Sequence, residues 1–270
     1  MLVVILLVLG LGFGSFVNAL VWRLRQQETK TSNPSIVNGR SMCPSCRHQL
    51  AARDLVPIFS WLSLSGRCRY CHQPISAQYP LVEAIAAVVF VSSYIFWPVA
   101  LHGAGQIDLF VTWLAASIGL LALAIYDSRW MILPSKIIYP AAAVAIAGRL
   151  AYVIGFESAK IHAAITWILG IAVASGLFWV LFTVSSGKWI GYGDVRLGLV
   201  TGTLLASPAK SFLMIFVASL AGSVFILPQL LAGRRKADSK LSYGPFLIAA
   251  TFIVLLFGDS IINYYKDLVL

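Results

Sequence analysis

The segment Leu2-Val3-Val4-Ile5-Leu6-Leu7-Val8-Leu9-Gly10-Leu11-Gly12-Phe13-Gly14-Ser15-Phe16-Val17-Asn18-Ala19-Leu20-Val21-Trp22 runs its whole length without a charged side chain. A helix needs about 20 predominantly apolar residues to cross the hydrocarbon core of a bilayer, so the stretch predicts a transmembrane helix. No basic residue precedes it, and it lacks the short apolar core and cleavage site of a secretory signal peptide, so it is expected to be retained. Comparable spans follow at 80–101, 107–126, 134–154, 162–184, 195–208, 211–232 and 243–263. The span at 195–208 is short and is expected to be tilted, or partly buried in protein. A chain that is 59% hydrophobic and 11% charged, with a mean hydropathy of +0.86, lies outside the range of soluble domains. The expected fold is an all-α polytopic membrane protein of about eight transmembrane helices.

The formal net charge is +10, and its placement explains it without a nucleic acid. Most of the 20 Lys and Arg residues fall in four loops. Arg23, Arg25, Lys30, Arg40, Arg47, Arg53, Arg67 and Arg69 lie in 23–79, and Arg129 and Lys136 in 127–136. Lys188 and Arg196 lie in 185–196, and Arg234, Arg235, Lys236 and Lys240 in 233–242. Eight spans put these loops on one membrane face. The positive-inside rule makes that face cytoplasmic and both termini external. A basic rim also suits anionic membrane lipids.

The long polar insertion 23–79 carries Cys43-Pro44-Ser45-Cys46 and Cys68-Arg69-Tyr70-Cys71, which are all the cysteines in the chain. Each C-x2-C pair can present two thiolates from a tight knuckle, and two knuckles complete a closed tetrahedral site. Two disulfides are the competing reading, but a cytoplasmic loop is reducing. Structural zinc on Cys43, Cys46, Cys68 and Cys71 is therefore expected. His48 and His72 flank a thiolate set that is already full. Zinc is expected to organise a small cytoplasmic domain with little core of its own. Leu55, Val56, Ile58, Phe59, Trp61, Leu62 and Leu64 are its expected apolar support. The expected division is a first helix at 1–22, the zinc domain at 23–79 and a seven-helix membrane domain at 80–270.

Two carboxylates stand at span ends on the predicted cytoplasmic face. Asp127 closes the third span ahead of Ile132-Leu133-Pro134, and Asp194 ends Gly191-Tyr192-Gly193-Asp194. Ionisable groups at membrane depth are costly and mark pathways or chemistry. A pair at equal depth can share one proton, so that one activates water and the other polarises a peptide carbonyl, with mutual repulsion separating their titrations. Gly191 and Gly193 either let helices pack closely or let an extended substrate approach the backbone.

In this setting the chain resembles the prepilin peptidases, the GxGD-type membrane aspartyl proteases that mature type IV pilins and type II secretion pseudopilins. The resemblance runs over Gly14-Ser15-Phe16-Val17-Asn18 with Arg23 and Leu24, the tetracysteine loop, and Ile75-Ser76-Ala77-Gln78-Tyr79-Pro80-Leu81-Val82-Glu83. It continues through Asp127 with its Leu-Pro pair, Gly191-Tyr192-Gly193-Asp194-Val195-Arg196-Leu197 and Tyr243-Gly244-Pro245-Phe246-Leu247. It implies a bacterial inner-membrane enzyme with Asp127 and Asp194 as catalytic residues. The substrates it implies are prepilins or pseudopilins with a basic leader and a hydrophobic N-terminal helix, cut on the cytoplasmic side. It further implies N-methylation of the new amino terminus with S-adenosylmethionine. No glycine-rich dinucleotide fingerprint is present, and Asn18, Arg23 and Glu83 are the polar candidates to contact that cofactor or the amine. Helix-end hydrogen bonds and a snorkelling arginine are the simpler explanation of these three.

Three residues depart from the family pattern. Ser135 and Lys188 stand where acids are usual, and Arg196 stands where lysine is usual. Lys188 would alter leader recognition or the titration of Asp194, or is a solvated loop lysine. Two other classes of function remain at this stage. A transporter could use the paired acids as a relay, although transport sites usually lie at the midplane. An inactive assembly scaffold could dock a partner through the zinc loop.

Overall fold

The computed structural model describes residues 1–29, 40–233 and 241–269. Lys30, Arg234, Arg235, Lys236 and Lys240, used above for the membrane orientation, lie outside the described residues. Among the described residues the regular structure is helical, apart from two isolated β-bridges, Met42 with Gln49 and Arg67 with Pro74. The chain packs as two units, Met1–Ile95 and Phe96–Leu270.

The first unit is built on α1 (Leu2–Glu28) and α3 (Gln78–Ile95). Their backbones touch. A Cβ at Gly14 would lie 2.6 Å from the Glu83 Cα, and one at Gly10 would lie 2.6 Å from the Ala87 Cα. Small residues at such an interface let dispersion do what hydrophobicity cannot do in lipid. Between the two helices lie a 3₁₀ turn (Ala52–Leu55), the short α2 (Phe59–Ser63) and the four cysteines.

The apolar residues expected to support this lobe mostly face outward. Phe59 is 70% exposed and Leu62 59%, and Val56 and Leu55 are also exposed. Ile58, Trp61 and Leu64 are half-buried, and Trp61 is held by a hydrogen bond of its side chain. Its indole N–H donates to the Ile75 carbonyl at 3.0 Å, and its ring covers Gly66, which sits at φ +69°. Polar bonds supply the remaining order, with Asp54 accepting from Arg69 Nε at 2.7 Å and from the Tyr70 hydroxyl at 3.0 Å.

The second unit comprises α4 (Ala104–Trp130), α5 (Ser135–Gly155), α6 (Lys160–Ile171), α7 (Leu177–Val184), α8 (Tyr192–Leu205), α9 (Pro208–Leu231) and α10 (Gly244–Val269). A π-helical turn, Ala172–Gly176, joins α6 to α7, so the two cross as one segment, Lys160–Val184. Seven segments of the described chain are long and apolar enough to cross a membrane. Helix α8 is not among them. Its 14 residues reach about 21 Å, against a hydrocarbon core of about 30 Å. Leu197, Val200, Thr201 and Thr203 on α8 are wholly buried, so the short predicted span is enclosed in protein. By contrast, α9 turns Phe212, Phe216, Leu220, Val224 and Leu227 outward, the apolar surface a helix shows to lipid.

The α1–α3 contact gives a first expected outcome. Gly14→Leu would push side-chain atoms into the Glu83 backbone, at a cost of about 1–3 kcal/mol for overpacking. Thermal unfolding of the purified protein in detergent should show the first unit melting earlier. Unchanged melting would refute the backbone contact.

Candidate active site and metal centre

Asp127 lies in the last turn of α4, 5% exposed. Its carbonyl accepts the Met131 N–H at 2.8 Å, and Met131, at φ +53°, turns the chain out of the helix. Leu133 and Pro134 are buried in the short link, and Pro134 caps the start of α5. The side chain of Asp127 is held from the far end of the sequence. Its Oδ2 accepts the Gly244 N–H at 3.0 Å and the Ser242 hydroxyl. Gly244 is the first residue of α10, where backbone N–H groups lack partners within the helix, so Asp127 serves as a remote cap. A Cβ at position 244 would lie 2.6 Å from Asp127 Oδ2. Only glycine lets the backbone donor come this close.

Asp194 sits in the first turn of α8, half-buried, with its N–H donated to the Gly191 carbonyl at 3.0 Å. Asp127 and Asp194 line the same cleft, of about 860 Å³, with Tyr243, Ser242 and Leu133. Asp194 lies outside the seven crossing segments. Burial, and after it the negative charge of Asp127, push its carboxyl up to about 7, against a backbone hydrogen bond at Gly191.

The surrounding predicted residues divide into two groups. Gly193 has a packing role, because a Cβ there would meet Leu133 at 3.0 Å. A Cβ at Gly191 would meet only ordinary contacts, the nearest being Asp194 Oδ2 at 3.7 Å. Lys188 is exposed on the lip of the cleft. Two departures from the family pattern prove to be one feature. Arg196 Nη1 donates to Ser135 Oγ across the cleft wall, and the same guanidinium lies 5.3 Å from the Tyr192 ring centre. Ser242 was not singled out from the sequence, and Tyr243 and Gly244 entered only as part of a last-helix motif. A serine before Tyr-Gly-Pro carries no local signal of its partner 115 residues away.

The cysteines converge. Their four sulfur atoms lie within 4.8 Å of one another, with Cys43 Sγ and Cys71 Sγ 3.8 Å apart. Thiolates about 2.3 Å from a shared tetrahedral cation stand about 3.8 Å from each other. The four thiols therefore fit a metal ion, and their separation is too long for a disulfide. Both knuckles are built alike. Cys43 N–H donates to His48 O at 3.0 Å and Cys68 N–H to Gln73 O at 2.9 Å. Arg47 at φ +57° and His72 at φ +56° make the equivalent turns. His48 instead lies against Tyr70, with ring centres 3.7 Å apart.

Asn18, Arg23 and Glu83 also come together, at one cavity of the first unit. Asn18 Nδ2 donates to the Tyr79 carbonyl at 3.1 Å, tying α1 to α3. Glu83 Oε2 accepts the Ile58 N–H at 2.7 Å. All three side chains are buried, although none of the three was the strongest signal in the sequence.

Residues 8–97 match the family model described as Bacterial Peptidase A24 N-terminal domain, and residues 114–227 match that described as Type IV leader peptidase family. The chain is 32% identical over 232 residues to a protein of Aeromonas salmonicida (strain A449) named prepilin leader peptidase/N-methyltransferase, covering 86% of this chain and 76% of that one. It is 30% identical over 274 residues to the Aeromonas hydrophila protein of the same name, with 95% and 91% covered. A Pseudomonas aeruginosa protein of that name is 28% identical over 276 residues, with 96% and 91% covered. No solved structure matches. The crossing helices, the cleft with its two aspartates and these relatives agree: the chain is a multi-pass membrane protein and an enzyme, and it belongs to the type IV leader peptidase family.

Proposed function

We propose that this protein is an aspartyl endopeptidase of the bacterial inner membrane. It removes the basic leader of type IV prepilins or pseudopilins at the cytoplasmic face and then N-methylates the exposed amino terminus. The observation that carries the reading is the shared cleft, in which Asp127 is anchored from α10 and burial beside Asp127 raises the Asp194 carboxyl to about 7. Asp127 acts as the base. It takes a proton from water as the water oxygen bonds to the scissile carbonyl carbon, and Asp194 gives its proton to the carbonyl oxygen. Collapse of the tetrahedral intermediate breaks the C–N bond, the leaving amine takes up the proton held on Asp127, and Asp194 takes back a hydroxyl proton as the new carboxyl group forms. Gly191, Gly193 and Lys188 border the place where an extended chain would enter. The substrate's apolar helix would stay in lipid, with its leader toward the basic cytoplasmic loops.

The thiolate set is read as a structural zinc site, since four sulfur ligands leave no open position for water or substrate. Zinc would hold the lobe together where the apolar residues do not. S-adenosylmethionine would supply the methyl group, and the buried Asn18, Arg23 and Glu83 are the residues proposed to face it or the amine. Both termini are read as external, with α8, enclosed by its neighbours, taken as a short eighth passage that brings the chain back across the membrane.

Three outcomes follow from this reading. In a leader-cleavage assay in liposomes, Asp127→Asn and Asp194→Asn should each lower the rate at least about 100-fold, and the wild-type product should carry an added methyl by mass spectrometry once S-adenosylmethionine is supplied. Full cleavage by either folded mutant would end the dyad. A raised carboxyl pKa means the proton is present below it and lost above it, so cleavage should fall about tenfold per unit as pH rises beyond about 7. A rate that keeps climbing to pH 9 would exclude Asp194 as the acid. Cys43→Ser combined with Cys68→Ser should abolish bound zinc by metal analysis; a full complement in the variant would rule out the tetrathiolate site.

A further inference from the structure

The outward-facing apolar residues of the thiolate lobe, Leu55, Val56, Phe59 and Leu62, ask for a partner, because a water-facing lobe gains nothing from showing them. Phe59 and Leu62 stand three residues apart, on one face of α2. The helices beside them set their depth. Gly14 packs against Glu83 and Gly10 against Ala87, so α1 and α3 run antiparallel in a register that puts Leu2 level with Ile95 and Ala19 level with Gln78. The uncharged run of α1, 2–22, rises about 30 Å, the thickness of a hydrocarbon core. On that scale Glu83 lies about 12 Å inside the end of the run at Trp22. Its side chain leans toward the start of α3, where it accepts the Ile58 N–H at 2.7 Å. This leaves Ile58 and α2 roughly 5–10 Å inside the boundary of the core. Ile58 sits at φ +61°, a left-handed conformation that costs a β-branched residue free energy. The bond from Glu83 holds that turn, and with it the start of α2, at this depth.

The charge of the lobe points the same way. Residues 40–77 contain Arg40, Arg47, Arg53, Arg67 and Arg69 but one carboxylate, Asp54, which is paired with Arg69. Interfacial segments of membrane-bound proteins combine these two features. Their apolar face sinks about 5–10 Å into the boundary of headgroups and acyl chains, and basic residues at its edge meet anionic headgroups. We propose that the partner of this face is the bilayer itself. Leu55, Val56, Phe59 and Leu62 insert among the acyl chains of the leaflet next to the lobe, while the polar knuckle at 41–47 stays among headgroups and water. The lobe is thereby held to the membrane by a third contact besides α1 and α3. Its apolar residues contribute order through lipid, and not through a core of their own.

The test uses the unaltered full chain in nanodiscs made with a phospholipid that carries a photoactivatable diazirine on its acyl chain. After irradiation, trypsin cuts behind Arg53 and Arg67, and the peptide 54–67 should carry lipid at least about tenfold more often than the knuckle peptide 41–47. An unlabelled 54–67, or equal labelling of the two peptides, would overturn the proposal. Phe59→Trp gives a second measurement. In nanodiscs of phospholipid brominated on the acyl chain, the emission it adds over the unaltered chain should fall at least about twofold, while iodide in the water should barely change it. Quenching by iodide and not by bromine would show a face in water and sink the idea. Protection from both would show a protein on this face, a second copy of the chain or a substrate helix, and would sink it equally. Zinc content reports the folding of the variant, and if the variant loses its zinc, the crosslink in the unaltered chain decides alone.

Discussion

The geometry of the second unit turns on one hydrogen bond, from the Gly244 N–H to the buried carboxylate of Asp127. A carboxylate at membrane depth must be compensated, and the first N–H of a helix must find an acceptor outside that helix. Each requirement answers the other. The contact draws the start of α10 to the end of α4, and the helix dipole adds a favourable field at the same point. Ser242 completes the anchor from the adjacent position. The floor of the cleft is thereby set by two elements more than 100 residues apart in sequence.

The first unit solves a similar problem in the same way. Glu83 is buried on α3 and accepts the N–H of Ile58, the residue that caps the start of α2. In both units an acid on a long apolar helix fixes the start of another helix. The glycines serve this arrangement at close range, Gly244 beside Asp127 and Gly14 against the backbone of Glu83. Larger residues at either position would separate the acid from its setting before affecting any chemistry.

The paired departures from the family pattern illustrate how side chains read singly can mislead. Ser135 looked like the loss of an acid and Arg196 like a neutral exchange of cations. In the fold they hydrogen-bond to each other. The serine accepts from the guanidinium with a hydroxyl where an acid would accept with a charge, and the longer fork of arginine can reach it. The exposed lobe residues are a second case. Phe59 and Leu62 look like core in a stretch of polar sequence, but a lobe this small buries Cys43 and Cys68 and half-buries Trp61, with little room for more.

Local chemistry made several features legible in the sequence alone. Long uncharged runs predict helices in lipid because no other structure satisfies the backbone there, and two C-x2-C knuckles predict one thiolate cluster because each pair is already preorganised by its own turn. The rarity of acids in apolar surroundings singled out Asp127 and Asp194. The short span at 195–208 was legible as well, but only the tertiary structure showed how completely its neighbours enclose it, and that Ser242 and Gly244 hold Asp127. The same is true of the cavity that gathers Asn18, Arg23 and Glu83. These depend on which backbones can approach within van der Waals contact and which distant donor reaches a buried acceptor, and neither leaves a periodic or local mark along the chain.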